Sequence, residues 1–215
     1  MTTSPEPSGP HASAWREADA TGAEPAERGG LRVLAVSGSL RRGSTNTALL
    51  RAAAELAPPG TTVELLDGLG ELPHFDADLE ALDAPPPTVA ALRRRVEEAD
   101  ALLLATPEYN GSIPGALKNA VDWLSRPRGA AALAGKPVAV VGASPGQYGA
   151  MWAQGDLRRV LGVAGARVIG DELPVARVSA LLDEDGALVD EAARGRIAAQ
   201  LRLLVDGATA LDVAA

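Results

Sequence analysis

The sequence contains no cysteine among its 215 residues and only two histidines, His11 and His74. The absence of cysteine excludes disulfide bonds, a thiol nucleophile, and zinc or iron–sulfur clusters held by thiolates. Two histidines leave little material for an imidazole metal site, so we predict that the protein binds no metal. Aromatic residues make up only 3% of the chain. The core must therefore be built from aliphatic side chains and alanine.

Excess positive charge and long apolar runs are also missing. The net charge is −8 at pH 7, which argues against a nucleic acid as partner, because phosphate backbones attract basic surfaces. No apolar run approaches the ~18 residues that a membrane-spanning helix needs. The N-terminus lacks the basic start and apolar stretch of a secretory signal. We therefore expect a soluble, cytoplasmic protein that binds neither nucleic acid nor membrane.

The first 30 residues differ in composition from the rest of the chain. They are rich in proline, glycine, alanine, serine and glutamate, and they contain almost no large apolar side chains. Such a segment cannot bury enough apolar surface to offset the entropy of ordering. We predict a disordered tail over residues 1–30 and one folded domain over residues 31–215, a length that can bury a full core.

Within that domain, short apolar runs alternate five times with segments of helical periodicity. The apolar runs predict strands at 31–37, 62–66, 101–105, 138–141 and 167–169. The periodic segments predict helices around 49–56, 89–99, 117–124, 157–164 and 197–205. Residues 67–87 are predicted to form a long loop. Nearly continuous apolar strands are typical of a parallel sheet covered by helices on both faces. The prediction is therefore an α/β, doubly wound, three-layer sandwich with a five-stranded parallel sheet in the order 2-1-3-4-5.

The loop after the first strand is the strongest candidate for a binding site. It reads GSLRRGSTNT over residues 38–47 and leads into a helix. Hydroxyl groups, free backbone N–H groups and a guanidinium at the positive end of a helix are what a phosphate needs. A helix cap alone would require one hydroxyl or amide side chain, whereas this loop has five beside Arg41 and Arg42. We favour a phosphate site over a simple cap.

Two known phosphate-binding patterns fail at this loop. The P-loop pattern G-x4-G-K-[ST] requires lysine where Ser44 stands, which argues against the alternative of a P-loop-like phosphotransferase. The dinucleotide pattern G-x-G-x-x-G fails because Leu40 occupies the position of its second glycine. The loop is therefore predicted to bind a single terminal phosphate.

Two more loops of small and polar residues follow the third and fourth strands. They read TPEYNGSIPG over residues 106–115 and GASPGQYG over residues 142–149. Both are expected at the same edge of the sheet as the first loop, where ligands bind in such folds. No Ser-His-Asp set is recognisable in the sequence. We therefore expect a cofactor to carry the chemistry, with no obligatory catalytic side chain.

Three segments together resemble the NADPH-dependent FMN reductases, a family that includes flavodoxin-like quinone, chromate and azo-dye reductases. The segments are GSLRRGSTNTALLRAA (38–53), TPEYNGSIPGALKNAVDWLSRP (106–127) and GASPGQYGA (142–150). The resemblance implies a flavodoxin-like domain that binds FMN. It also implies that hydride passes from NADPH or NADH, by way of flavin N5, to a quinone-like or other small electron acceptor in a ping-pong sequence.

The resemblance also implies which residues bind the cofactor. The residues expected to hold the FMN phosphate are Ser39, Arg41, Ser44, Thr45 and Asn46. The residues expected to edge the isoalloxazine and ribityl groups are Pro107, Glu108, Tyr109, Asn110 and Gly111, with Ser144 closing the far side.

Two further expectations concern assembly and substrate handling. Members of the family are usually homodimers or tetramers, so a homo-oligomer is expected here. Met151 and Trp152 stand where relatives often carry a small residue and an arginine. The sequence therefore leaves open how substrate or nicotinamide is bound at these two positions.

One alternative function shares the same fold: a flavodoxin-like electron carrier that binds FMN without its own NAD(P)H turnover. The arginine-bearing first loop favours the reductase, because flavodoxins typically use a hydroxyl-rich loop. Carriers also tend to stack an aromatic side chain on each flavin face, and this chain has few. The sequence leaves open the physiological acceptor and the choice between NADPH and NADH.

Overall fold

The computed structural model of the protein describes residues 30–82 and 84–212. At its centre lies a parallel sheet. Its strands are β1 (Leu31–Ser37), β2 (Thr61–Leu66), β3 (Ala101–Thr106), β4 (Pro137–Ala143), β5 (Arg167–Val168) and β6 (Pro174–Val175). The first five lie in the order β2-β1-β3-β4-β5, which confirms the predicted topology. The predicted tail lies outside the described residues, apart from Gly30, and stays a prediction.

The sheet has one strand more than the sequence predicted. Strand β6 pairs with the end of β4, where Gly142 lies opposite Pro174, while β5 pairs with the beginning of β4. A strand of two residues that begins with proline contains no apolar run to mark it. The expected five strands are therefore corrected to six, with the order of the first five unchanged.

Helices cover both faces of the sheet. They are α1 (Thr45–Glu55), α2 (Ala77–Glu80), α3 (Pro87–Glu98), α4 (Gly115–Leu124), α5 (Met151–Val163) and α6 (Glu191–Asp212). Helix α2 and a 3-10 turn at Leu69–Glu71 lie in the segment predicted to be a loop. Helix α2 was missed because it has only four residues and buries none of them. No helix within the described ranges is long and apolar enough to cross a bilayer.

The two faces of the sheet supply two separate cores, because successive side chains of a strand point to opposite sides. On one face Val33 and Ala35 pack with α1 and α6. On the other face Leu34 and Val36 pack with α3, α4 and α5. Strands β3 and β4 are buried along their whole length, as expected for the centre of a doubly wound sheet.

The topology places three loops at one edge of the sheet. Strands β1, β3 and β4 are neighbours and run in the same direction, so their carboxyl ends meet. The loops that follow them, over residues 38–44, 107–114 and 144–150, therefore converge. This is the crevice at which open α/β sheets bind their ligands.

Candidate functional site

The first loop brings a group of hydroxyls to the beginning of α1. Ser44 is the N-cap residue, and its side chain accepts a hydrogen bond from the backbone N–H of Thr47 at 3.2 Å. Thr47 Oγ1 donates to Ser37 Oγ at 2.9 Å, and the backbone N–H of Ser39 donates to the same oxygen at 3.3 Å. The first turn of α1 contains no acidic residue. The positive end of the helix dipole is therefore not neutralised by a carboxylate of its own first turn.

Arg41 and Arg42 follow in the same loop, and both side chains are exposed. Arg41 Nη2 donates to the carbonyl oxygen of Gly43 at 3.0 Å. Within the part of the chain that the structure describes, neither guanidinium is paired with a carboxylate. Two unpaired cations beside a helix N-terminus make this loop attractive to an anion.

A cleft of about 710 Å³ opens beside the first loop. It lies between α1 and the segment that follows β2, and its walls include Ser39, Arg41, Arg42 and Arg51. Its volume falls within the range of small-molecule sites, about 300–1,000 Å³. A second cavity, of about 640 Å³, lies between α4 and α5 and is lined by none of the three loops.

Asn46 lies at the beginning of α1 but its side chain points into the protein. It is only 2% exposed, and its amide exchanges two hydrogen bonds with the backbone of Ala143 at the end of β4. The sequence predicted that Asn46 would hold a phosphate. The structure instead places both polar atoms of its amide on β4, so this side chain links the first loop to the third. Thr45, its neighbour, is half-buried.

The second loop is built on a tight turn. Tyr109 and Ser112 exchange two backbone hydrogen bonds, at 3.0 and 3.1 Å. The two residues between them, Asn110 and Gly111, have φ angles of 52° and 74°. Asparagine and glycine tolerate this left-handed conformation better than other residues. The turn leaves Tyr109, Asn110 and Gly111 exposed, while Pro107 is buried.

Glu108 connects the second loop to the beginning of α5. Its Oε2 atom accepts a hydrogen bond from the backbone N–H of Ala153 at 3.1 Å. The N-cap residue of α5, Ala150, makes no side-chain cap, so Glu108 provides a cap from another part of the chain. Ser112 reinforces the contact by donating from Oγ to Asp156 at 2.8 Å. Sequence reasoning missed this role of Glu108.

The third loop is held by a buried glutamine that sequence reasoning also missed. Gln154 is fully buried. Its Nε2 donates to the carbonyl oxygen of Gly149 at 3.0 Å, and its Oε1 accepts from the N–H of Leu173 at 2.8 Å. The signal was present in the sequence, because Gln154 shares the apolar stripe of α5 with Leu157 and Leu161. Ser144 is half-buried, and its backbone N–H donates to Val175 at 3.2 Å.

The structure thus brings all of the predicted cofactor-binding residues to one edge of the sheet. Together, fold and site define the class: a flavodoxin-like α/β protein whose candidate site lies at the carboxyl ends of β1, β3 and β4. The sequence pattern of the NADPH-dependent FMN reductases matches residues 31–179. The chain belongs to this family, which confirms the resemblance seen in the sequence.

Individual relatives agree with this assignment. The chain is 43% identical over 175 residues to an NAD(P)H-dependent FMN reductase of Pseudomonas aeruginosa, which covers 81% of this chain and 93% of the relative. It is 40% identical over 166 residues to a 2-hydroxy-1,4-benzoquinone reductase of a Burkholderia species, covering 76% and 88%. Among solved structures it is similar to FerB, a flavoenzyme NAD(P)H:(acceptor) oxidoreductase from Paracoccus denitrificans. That match has a TM-score of 0.73 and 38% identity, and it covers 83% of this chain and 97% of the other.

Proposed function

We propose that the protein is an oxidoreductase that uses bound FMN to transfer electrons from NADPH or NADH to quinone-like small acceptors. In the net reaction, a reduced nicotinamide, a proton and a quinone give an oxidised nicotinamide and a hydroquinone. Family membership and the names of the relatives support this function. The observation that carries it is the convergence of three loops at one sheet edge, the first of which combines a helix N-terminus with unpaired arginines.

The first loop suits the phosphate of FMN, which is an anion of high charge at neutral pH. The beginning of α1 has no acidic residue to oppose it, and Arg41 has no carboxylate partner among the described residues. We expect Ser39, Arg41, Ser44 and Thr45 to hold the phosphate. Asn46 would act indirectly, by fixing the beginning of α1 against β4 through its two hydrogen bonds.

The second and third loops suit the flavin ring and the ribityl chain. When bound, FMN supplies two-electron transfer between a nicotinamide and an acceptor. Pro107, Glu108, Tyr109, Asn110 and Gly111 would lie along one edge of the ring system, and Ser144 would lie on the far side. Backbone N–H groups and a helix N-terminus can stabilise negative charge on a ring without a titrating side chain. We therefore propose that no catalytic side chain is obligatory.

The proposal extends to assembly and location. A homodimer or tetramer is expected from the family resemblance, and a cytoplasmic location is proposed with it. Light scattering of the purified protein measures the mass directly.

Purification followed by two assays tests the function. The protein should be yellow or should quench the fluorescence of added FMN, and the holoenzyme should oxidise NADPH faster when benzoquinone is present. A colourless protein that leaves FMN fluorescence unchanged would refute the cofactor site. FMN binding without NADPH oxidation, whatever the acceptor, would favour the electron carrier. The same assay with NADH decides between the two nicotinamides.

A further inference from the structure

The aromatic side chains divide into two groups, although the described part of the chain has only five. Phe75 and Trp123 pack together, with ring centroids 5.0 Å apart, and Trp123 is completely buried. The other three lie at the edge of the sheet that carries the three loops. Tyr109 is 55% exposed, Tyr148 48% and Trp152 50%. Three of the few aromatic side chains are therefore about half exposed at this one edge of the sheet, which we call the rim of the site.

Two of the three form a pair. The rings of Tyr148 and Trp152 have centroids 4.6 Å apart and planes inclined by 51°, a geometry within the range of favourable aromatic contacts. The backbone N–H of Met151 donates to the carbonyl oxygen of Tyr148 at 3.1 Å, which closes a turn between the two rings. The two side chains are therefore packed against each other rather than independent.

Hydrogen bonds fix the segment that carries the pair. Gln154 donates to the carbonyl oxygen of Gly149, and Glu108 caps the beginning of α5 at Ala153. Glu108 precedes Tyr109 in the chain, and Ala153 follows Trp152. The bond between Glu108 and Ala153 therefore sets Tyr109 and the aromatic pair on the same rim of the site.

The charges next to the pair favour a neutral ligand. Two carboxylates lie at the beginning of α5: Glu108 accepts from the backbone N–H of Ala153, and Asp156, a residue of the helix itself, accepts from Ser112 Oγ. Arg159 lies within 3.6 Å of Asp156 and balances one of them. Arg177, whose backbone N–H donates to Gly146 of the third loop, adds a second cation. This part of the rim therefore attracts an oxyanion or the phosphates of a dinucleotide less than the first loop does, where Arg41 and Arg42 have no carboxylate to balance them. An uncharged flat molecule suits it better.

Resting on the proposed function, we propose that Tyr148 and Trp152 form an aromatic platform that selects fused-ring quinones over single-ring quinones. A naphthoquinone is large enough to react at one ring and to contact the platform with the other. A benzoquinone has a single ring, which cannot do both.

Two half-reactions test the platform separately in the FMN-loaded protein. NADPH is first mixed with the enzyme without oxygen, and the loss of flavin absorbance is followed. The reduced enzyme is then mixed with either 1,4-naphthoquinone or 1,4-benzoquinone, and the return of absorbance is followed. The variants are Trp152→Ala, Trp152→Phe and Tyr148→Ala. Leu203→Ala is the matched control, because Leu203 is similarly exposed but lies on α6.

We expect Trp152→Ala to lower the rate constant for naphthoquinone by about two- to tenfold, the amount that one aromatic contact contributes. The constant for benzoquinone should change by less than about twofold. Tyr148→Ala should act in the same direction, and Trp152→Phe should restore most of the loss. Leu203→Ala should change neither constant.

Several results would overturn the platform. Equal losses with both quinones would mean that Trp152 has only a structural role. A slower first half-reaction would mean that the pair serves the nicotinamide. A lower mass in light scattering, with the ratio of the two quinone constants unchanged, would mean that a second copy of the chain covers the pair. If the unmutated protein binds no FMN, or if NADPH does not reduce it, the proposed function itself fails and the platform with it.

Discussion

Asn46 and Ala143 exchange two hydrogen bonds although 97 residues separate them in the sequence. Asn46 Nδ2 donates to the Ala143 carbonyl oxygen at 3.1 Å, and the Ala143 N–H donates to Asn46 Oδ1 at 2.9 Å. Both sets of atoms are buried, so water cannot replace either partner. The pair couples the beginning of α1 to the end of β4. Any ligand that binds between the first and third loops depends on that coupling.

Substituting Asn46→Ala should lower the free energy of unfolding by about 2–3 kcal/mol, because it leaves a buried N–H and a buried carbonyl without partners. FMN affinity should fall as well, since the two loops lose their link. Urea denaturation and FMN titration measure the two effects. Gln147→Ala is the control, because Gln147 is an exposed amide in the third loop and its loss should cost less than about 0.5 kcal/mol. Equal stability of the two variants would show that the link contributes nothing.

Arg41→Ala should weaken FMN binding by roughly ten- to a hundredfold. A hydrogen bond between a guanidinium and a phosphate is worth about 1.5–3 kcal/mol, and each 1.4 kcal/mol is a factor of ten. Riboflavin has no phosphate, so its weaker binding should hardly change. Fluorescence titration with both flavins makes the comparison.

Arg42→Ala is the matched control for Arg41, because both arginines are exposed in the same loop. A selective loss of FMN binding in Arg42→Ala, with Arg41→Ala unaffected, would move the phosphate contact by one residue. Equal losses of FMN and riboflavin in both variants would show that the loop has only a structural role.

Gly149→Ala should disrupt the third loop. Gly149 has a φ of 58°, and a Cβ atom there would lie 2.6 Å from the backbone nitrogen of Val175. The backbone of the loop or of β6 must move to make room. This movement should lower the melting temperature by several degrees and weaken the binding of FMN. Gly146→Ala in the same loop is the control, because its Cβ would meet only the Ser144 hydroxyl, at 3.7 Å. If the two variants have the same melting temperature, the close packing around Gly149 does not determine the stability of the loop.

The free energy of unfolding should depend on pH through Lys136. Its ammonium donates to the carbonyl oxygens of Ala99 and Glu97. Burial lowers the pKa of Lys136 below its ordinary value of 10.5, although Asp100 and Glu97 oppose the shift. The unfolded chain therefore binds more protons than the folded chain between the lowered pKa and 10.5. The contribution of Lys136 to the free energy of unfolding should rise with pH across that window.

The variant Lys136→Gln isolates this effect, because it cannot titrate. The difference in unfolding free energy between the unmutated protein and the variant should grow in favour of the former as the pH rises from the lowered pKa toward 10.5. Urea denaturation at several pH values measures it. A difference that stays constant or shrinks with pH would contradict the lowered pKa.

Removal of the predicted tail, residues 1–30, should leave the melting temperature and the FMN affinity nearly unchanged. The composition of this segment offers little apolar surface to bury. Calorimetry and flavin titration of the shortened chain make the test. A large loss of stability would show that the segment packs against the domain.

The sequence predicted the sheet well because its central strands carry the strongest local signal. Strands β3 and β4 are buried on both faces, so each appears as an unbroken apolar run. The predicted helices were all found, since their apolar residues repeat at helical spacing. Strand β6 and helix α2 were missed because segments of two and four residues are too short to show any period.

The convergence of the three loops also followed from the sequence, but the hydrogen bonds within and between them did not. Topology alone placed the three loops at one edge. The roles of Asn46, Glu108 and Gln154 depend on partners that are distant in the chain or hidden in another loop. Composition and periodicity contain no information on such pairs. A polar residue within a buried stripe, as at Gln154, is the one local hint that could have been used.

The outer edge of the sheet beyond β4 is split into two pieces. Strand β5 pairs with residues 137–138 of β4 and β6 with residues 142–143, and the chain turns between them at Gly170, which has a φ of 68°. A foreign strand can extend a sheet only along a continuous row of free N–H and C=O groups. Two pieces of two residues each do not offer such a row. This edge is therefore protected against edge-to-edge aggregation.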